Sequence, residues 1–222
     1  MLDLYQTNNK RIKYIKTRYI LFIVFFMSLT KTQIFQNIQD IKNEFYSQNT
    51  KNMFFKKSQK QELSNRIIEK ISILDLIDIS IYRFSDQNRI YVDYSIIKMY
   101  IDIPLYEIIL EKLIQLLMDC TNTGTGTYEI HINLDGFTIT SAERHKSIIE
   151  QFCQRMNNTK YFDHMNIMYI YNTPSMIDAI SGLFSYLLHP NIKQKMVKYD
   201  KDESLAKIAE IRGYLDAMSS SL

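Results

Sequence analysis

From about residue 77 onward, short alternating apolar runs trade places with amphipathic stretches of a dozen or more residues, and that rhythm limits the fold class more than any other feature. The clearest run is residues 128–134. Tyr128, Ile130, Ile132 and Leu134 fall on one face, and Glu129, His131 and Asn133 fall on the other. A period of two is that of a half-buried strand. Residues 77–84 alternate through Ile77, Ile79 and Ile81, Ser85-Asp86-Gln87-Asn88 supplies a turn, and residues 89–94 return as a second strand. Residues 166–171 read as a further strand, and residues 192–199 as a short extended segment.

The intervening stretches carry helix signals. Pro104 stands where the first turn of a helix accepts proline, and residues 105–119 follow with Glu107, Glu111 and Gln115 in one polar stripe. Thr140 and Glu143 have the spacing of a capping box for a helix reaching Met156, with Ile148, Ile149, Phe152 and Met156 facing inward. Thr173-Pro174 opens another helix that runs to Leu188, where His189-Pro190-Asn191 stops it. A last helix spans residues 204–218 through Leu205, Ile208, Ile211 and Leu215. Strands separated by such helices imply crossover connections, so the expected fold is α/β, a mainly parallel β-sheet flanked by helices.

The front of the chain adds a helical extension. Ile34, Ile38, Ile41 and Phe45 form one stripe of an amphipathic helix, and residues 61–75 a second helix beyond a polar loop at 48–60. The expected division is an arm of residues 1–30 and one domain of residues 31–222. Within the domain, residues 31–76 are helical, 77–200 form the core and 202–218 the closing helix. The arm carries five basic residues (Lys10, Arg11, Lys13, Lys16, Arg18) against Asp3, then the apolar run YILFIVFFMSL at residues 19–29. That run is short of the roughly 20 residues of a membrane span. Three readings stand open: a membrane anchor or uncleaved signal, an element packed on the domain, or an extension with Met27 as the natural start.

Composition narrows the function. With 46% hydrophobic and 23% charged residues, the chain can bury a substantial core. Its net charge of +3 rests in the arm, so no nucleic-acid partner is expected. Cys120 and Cys153 have no metal-ligand spacing and suit buried free thiols in a reducing, cytoplasmic compartment. The Gly-rich residues 121–127 follow a helix and precede a strand, the reverse of a phosphate-cradling loop. His131, His145, His164 and His189 show no metal-binding or nucleophile pattern, so neither an enzyme nor a cofactor is expected.

Three segments within residues 128–199 then match one family in order. Asn133-Leu134-Asp135-Gly136 ends a strand and leads into a helix. Residues 161–174, YFDHMNIMYIYNTP, form a second segment, and Leu183-Phe184 through His189-Pro190, with Lys195 beyond, a third. Together they resemble the CRAL-TRIO lipid-binding domain, the family of phosphatidylinositol transfer proteins and of tocopherol and retinal carriers. Phe162 and His164 replace the family's proline and arginine, and its downstream Leu-Pro…Gly-Gly segment is missing. The resemblance implies an apolar pocket for a phospholipid or other lipophile, closed by a movable gate helix through Met176, Ile180, Leu183, Phe184 and Leu187. It also implies that Asp163 and Lys195 hold a lipid headgroup, with transient contact to a membrane surface and lipid transfer as the task. The alternative is a degenerate CRAL-TRIO-like or STAS-like module that binds a protein partner and has no pocket.

Overall fold

The computed structural model describes residues 31–49, 56–84, 88–122, 126–187 and 190–219. The arm of residues 1–30, with its three readings, lies outside them. Among the described residues three helices come first: α1 (Lys31–Gln48), α2 (Lys56–Lys70) and α3 (Ile73–Ser80). The stripe on α1 is buried as its spacing requires, with Ile38 and Phe45 wholly enclosed. Each such side chain contributes roughly 1.5–3 kcal/mol on leaving water. The Arg66 guanidinium of α2 sits 5.0 Å from the Phe45 ring centroid and joins the two helices.

Residues 77–80, expected as the start of a strand, are instead the last turn of α3. Ser72 caps this helix by accepting from the Leu74 N–H. Leu76, Ile77, Ile79 and Ser80 are all buried, so the helix is apolar on nearly every side and its alternation fits either period. Tyr100 Oη donates to Ser80 Oγ at 2.6 Å, and Ser80 Oγ donates to the Leu76 carbonyl.

Five strands follow: β1 (Ile81–Arg83), β2 (Arg89–Asp93), β3 (Tyr128–Asn133), β4 (Met165–Tyr171) and β5 (Met196–Lys198). They lie side by side in chain order, β1 antiparallel to β2 and the rest parallel. The expected α/β class holds. Between and after them lie α4 (Tyr94–Tyr100), α5 (Tyr106–Thr121), α6 (Ile139–Arg144), α7 (Lys146–Thr159) and α8 (Tyr161–His164). The remainder are α9 (Ile177–Leu183), α10 (Pro190–Gln194) and α11 (Lys201–Ser219).

Details depart from the expectations. Thr138, not Thr140, caps the helix after β3, accepting from the Ser141 N–H at 3.1 Å, and the helix breaks at His145 into α6 and α7. The helix expected to reach Leu188 ends at Leu183, and residues 188 and 189 lie outside the described set. On α11, Leu205 is 77% exposed, because the helix turns Ser204 inward, where its Oγ accepts from the Asn172 N–H at 2.7 Å.

Register sorts the sheet into two chemically distinct faces. Ile90, Ile130 and Met168 lie abreast, and Val92, Ile132 and Ile170 form the next row of the same apolar face. On the opposite face Tyr91, His131 and Tyr169 lie abreast. Across the strand ends runs a chain of buried polar groups. Asn172 Nδ2 donates to Asn133 Oδ1 at 2.8 Å, and Asn133 Nδ2 donates to Asp93 Oδ1 at 3.0 Å. Asp93, 1% exposed, also accepts from the Ser95 N–H and so caps α4. Asn172 adopts a left-handed backbone at φ 51, a conformation asparagine tolerates better than most residues. The Asn-Leu-Asp-Gly and Asn-Thr-Pro segments thus meet each other in space.

Candidate functional site

Helices α5 and α7 both lie over the apolar face, and they do not fill the space above it. A cavity of about 210 Å³ remains. Ile90, Ile130 and Met168 form its floor, Leu113 and Leu117 of α5 one wall, and Ile149 and Phe152 of α7 another. Phe137, Tyr94 and His145 stand at one end, with the Tyr94 and Phe137 rings edge-on at 4.8 Å.

Among the described residues the wall carries no charge. His145, its one titratable imidazole, shares a 2.8 Å hydrogen bond between Nδ1 and Tyr106 Oη. Burial, and then the Arg144 guanidinium, hold its pKa down at about 4. The ring is therefore neutral in ordinary buffers. Such a space offers dispersion contacts and freedom from water, and no hydrogen bond that would select a polar guest.

The residues singled out from sequence sit around this cavity, not in its wall. Ile180 on α9 and Phe184 just after it are buried with Ala142 of α6, and the cluster includes Phe137 and Ile149, which do line the cavity. Leu187 joins it from beyond the helix, whereas Met176 and Leu183 are 53% and 39% exposed. α9 thus rests on the outer side of one cavity end. Asp163 is exposed on α8. Lys195 donates its Nζ to the Met165 carbonyl at 2.6 Å, at the start of β4 and two residues beyond Asp163.

Sequence reasoning missed the residues that bound the cavity, chiefly Leu113, Ile149 and Phe152. Their helical spacing marks a buried face and does not reveal how far that face stands from the sheet. Both cysteines are free and buried, and burial pushes the Cys153 thiol up to about 11. No helix among the described residues is long and apolar enough to cross a membrane.

The family model for the CRAL/TRIO domain matches residues 102–214, from just before α5 well into α11. No curated protein matches the chain. Domains of this family generally bind lipophilic small molecules. The match takes in α5, α7, β3 and β4, which bound most of the cavity, and the chain belongs to the CRAL/TRIO domain family.

Proposed function

We propose that the protein binds one lipophilic small molecule in the cavity over the apolar sheet face and releases it unchanged. The observation that carries this reading is an uncharged apolar space bounded mostly by the segment matched to the family. Its size bears on the guest. An engineered apolar cavity of about 150 Å³ holds benzene, so 210 Å³ suits roughly ten heavy atoms, a short chain or a compact terpene. Each methylene moved there from water contributes about 0.8 kcal/mol. A diacyl phospholipid enters only if the space enlarges, and α9 is the element to move. Its departure would uncover Phe137 and Ile149. Its outward Met176 and Leu183, with Tyr186 just beyond, give it apolar side chains for contact with a membrane surface, which would make loading and transfer there the protein's task.

Native mass spectrometry after purification tests the reading, with the expected result a bound hydrophobe that Leu113→Phe displaces. A protein that is empty and takes up nothing from phosphatidylcholine/phosphatidylinositol vesicles overturns it. Lys195→Ala separates the two sizes of ligand. Lost phosphatidylinositol uptake assigns Lys195 to a headgroup, unchanged uptake removes that assignment, and no phosphatidylinositol uptake by either form leaves the compact lipophile as the guest.

A further inference from the structure

The opposite face of the sheet holds a second recess, independent of the cavity. Strands β2 to β5 are added in order to one side, and α5 and α7 both fall on the apolar face. The aromatic face meets α11, whose Ile211 packs against Tyr82, Phe84 and Tyr91. Beside that contact lies a groove of about 210 Å³ between the sheet and α11. Rings standing nearly parallel form its wall. Tyr171 stacks on Tyr199 at 5.5 Å with 11° between planes, and Tyr169 is also 11° from the plane of Tyr199, at 6.3 Å. Rings stacked in this way cover one another's faces and turn their edges outward. The edge is the positive side of a ring's quadrupole.

The polar groups of the wall divide into a closed set and an open one. Glu129 is engaged twice, its Oε2 lying 3.2 Å from Arg89 Nε and 3.6 Å from His131 Nε2. His131 is closed on its other side by Tyr171 Oη, 2.9 Å from Nδ1. Lys207 of α11 belongs to the open set. Its Nζ stands 4.5 Å from the Tyr199 ring centroid, and among the described residues no carboxylate pairs with it. The Tyr169 and Tyr199 hydroxyls likewise have no hydrogen-bond partner among the described residues, and both side chains are part-exposed. An ammonium, two phenolic donors and a row of ring edges thus border one space, and each presents positive charge to a guest. Glu210, three residues along α11, also lines the groove and is exposed, which disfavours a guest with a second negative group. By the same size comparison, the space holds one or two fused rings.

We propose that this groove is a second binding site, for an aromatic monocarboxylate of one or two rings. The carboxylate pairs with Lys207 and accepts from the Tyr199 hydroxyl, and the ring sets its face against the tyrosine edges, with Phe84 and Ile211 as apolar neighbours. A charge-assisted contact is stronger than a neutral one, so the charge selects the guest more than the ring does.

The test uses the full chain with two probes, 2-naphthoate and 2-naphthamide, which match in shape and differ in charge. Calorimetry gives the affinities, and carbon-13 NMR of labelled tyrosines follows the Tyr199 ring. The expected result is that 2-naphthoate moves the Tyr199 signals and binds about tenfold more tightly than 2-naphthamide, the difference between a charge-assisted and a neutral hydrogen bond. In Lys207→Met the two affinities become equal. Equal affinities in the native chain, unmoved Tyr199 signals, or a preference that survives in Lys207→Met overturns the proposal. So does 2-naphthoate binding that Leu113→Phe abolishes, which would move the ring compound to the apolar cavity and leave the lipophile reading intact. Because the preference and the Tyr199 shift are both read in the native chain, misfolding of Lys207→Met leaves the test decisive.

Discussion

The two faces of this one sheet solve opposite problems. On the apolar face, Ile, Val and Met side chains from β2, β3 and β4 lie abreast under two crossover helices, and the packing stops short of filling the space. On the other, tyrosines and a histidine at the same register stand in a stack, roofed in part by α11. The strands alternate identically on both sides; what differs is the cover. The space under the two crossover helices is walled by apolar groups alone, whereas the one beside α11 is lined by rings that bring polar atoms to it.

The comparison can be broken by substitution. Ile130→Ala on the cavity floor removes a side chain that is 4% exposed and enlarges an existing void, so chemical denaturation should report a loss of about 3 kcal/mol. Tyr169→Leu on the opposite face should cost about 1 kcal/mol or less, since that ring is only part-buried. Comparable losses would mean that the aromatic face is as closed as the other.

Acid titration gives an effect between those two. His145 protonates near pH 4 in the folded chain and near 6.5 when unfolded. The unfolded state therefore takes up the proton first as pH falls. Stability from this residue is complete above about pH 6.5 and is lost progressively toward pH 4, roughly 2–3 kcal/mol in all. His145→Phe should lessen the pH dependence of the denaturation midpoint across that window, with buried His131, also held down at about 4, supplying the remainder; an unchanged slope would show that the ring is not desolvated.

Much of this arrangement can be read from the amino acids, and the unread part has physical causes. The alternation at residues 128–134 separates the two faces correctly, because period two leaves a side chain no choice of side. The stripe through Ile34, Ile38, Ile41 and Phe45 buries as read. Residues 77–80 misled because a buried helix needs no polar face, and Leu205 misled because a serine hydroxyl with backbone partners lies inward in its place. Asp163 and Lys195 do approach one end of β4, yet Lys195 is turned to a main-chain carbonyl, a contact that no residue pattern announces. The cavity is harder still, since it is set by the distance between α5, α7 and the sheet.

The polar chain from Asp93 through Asn133 to Asn172 has a consequence for how the molecule assembles. Its two links join residues 40 and 39 positions apart. The first can close only when β2 and β3 have paired and the second only when β3 and β4 have, so the whole chain draws on long loops and is complete only after most of the sheet exists. They belong to the late side of the folding barrier. Cutting them at Asn133 should hasten unfolding while leaving the refolding rate nearly unchanged, which makes the polar seam a latch on the lifetime of the native state.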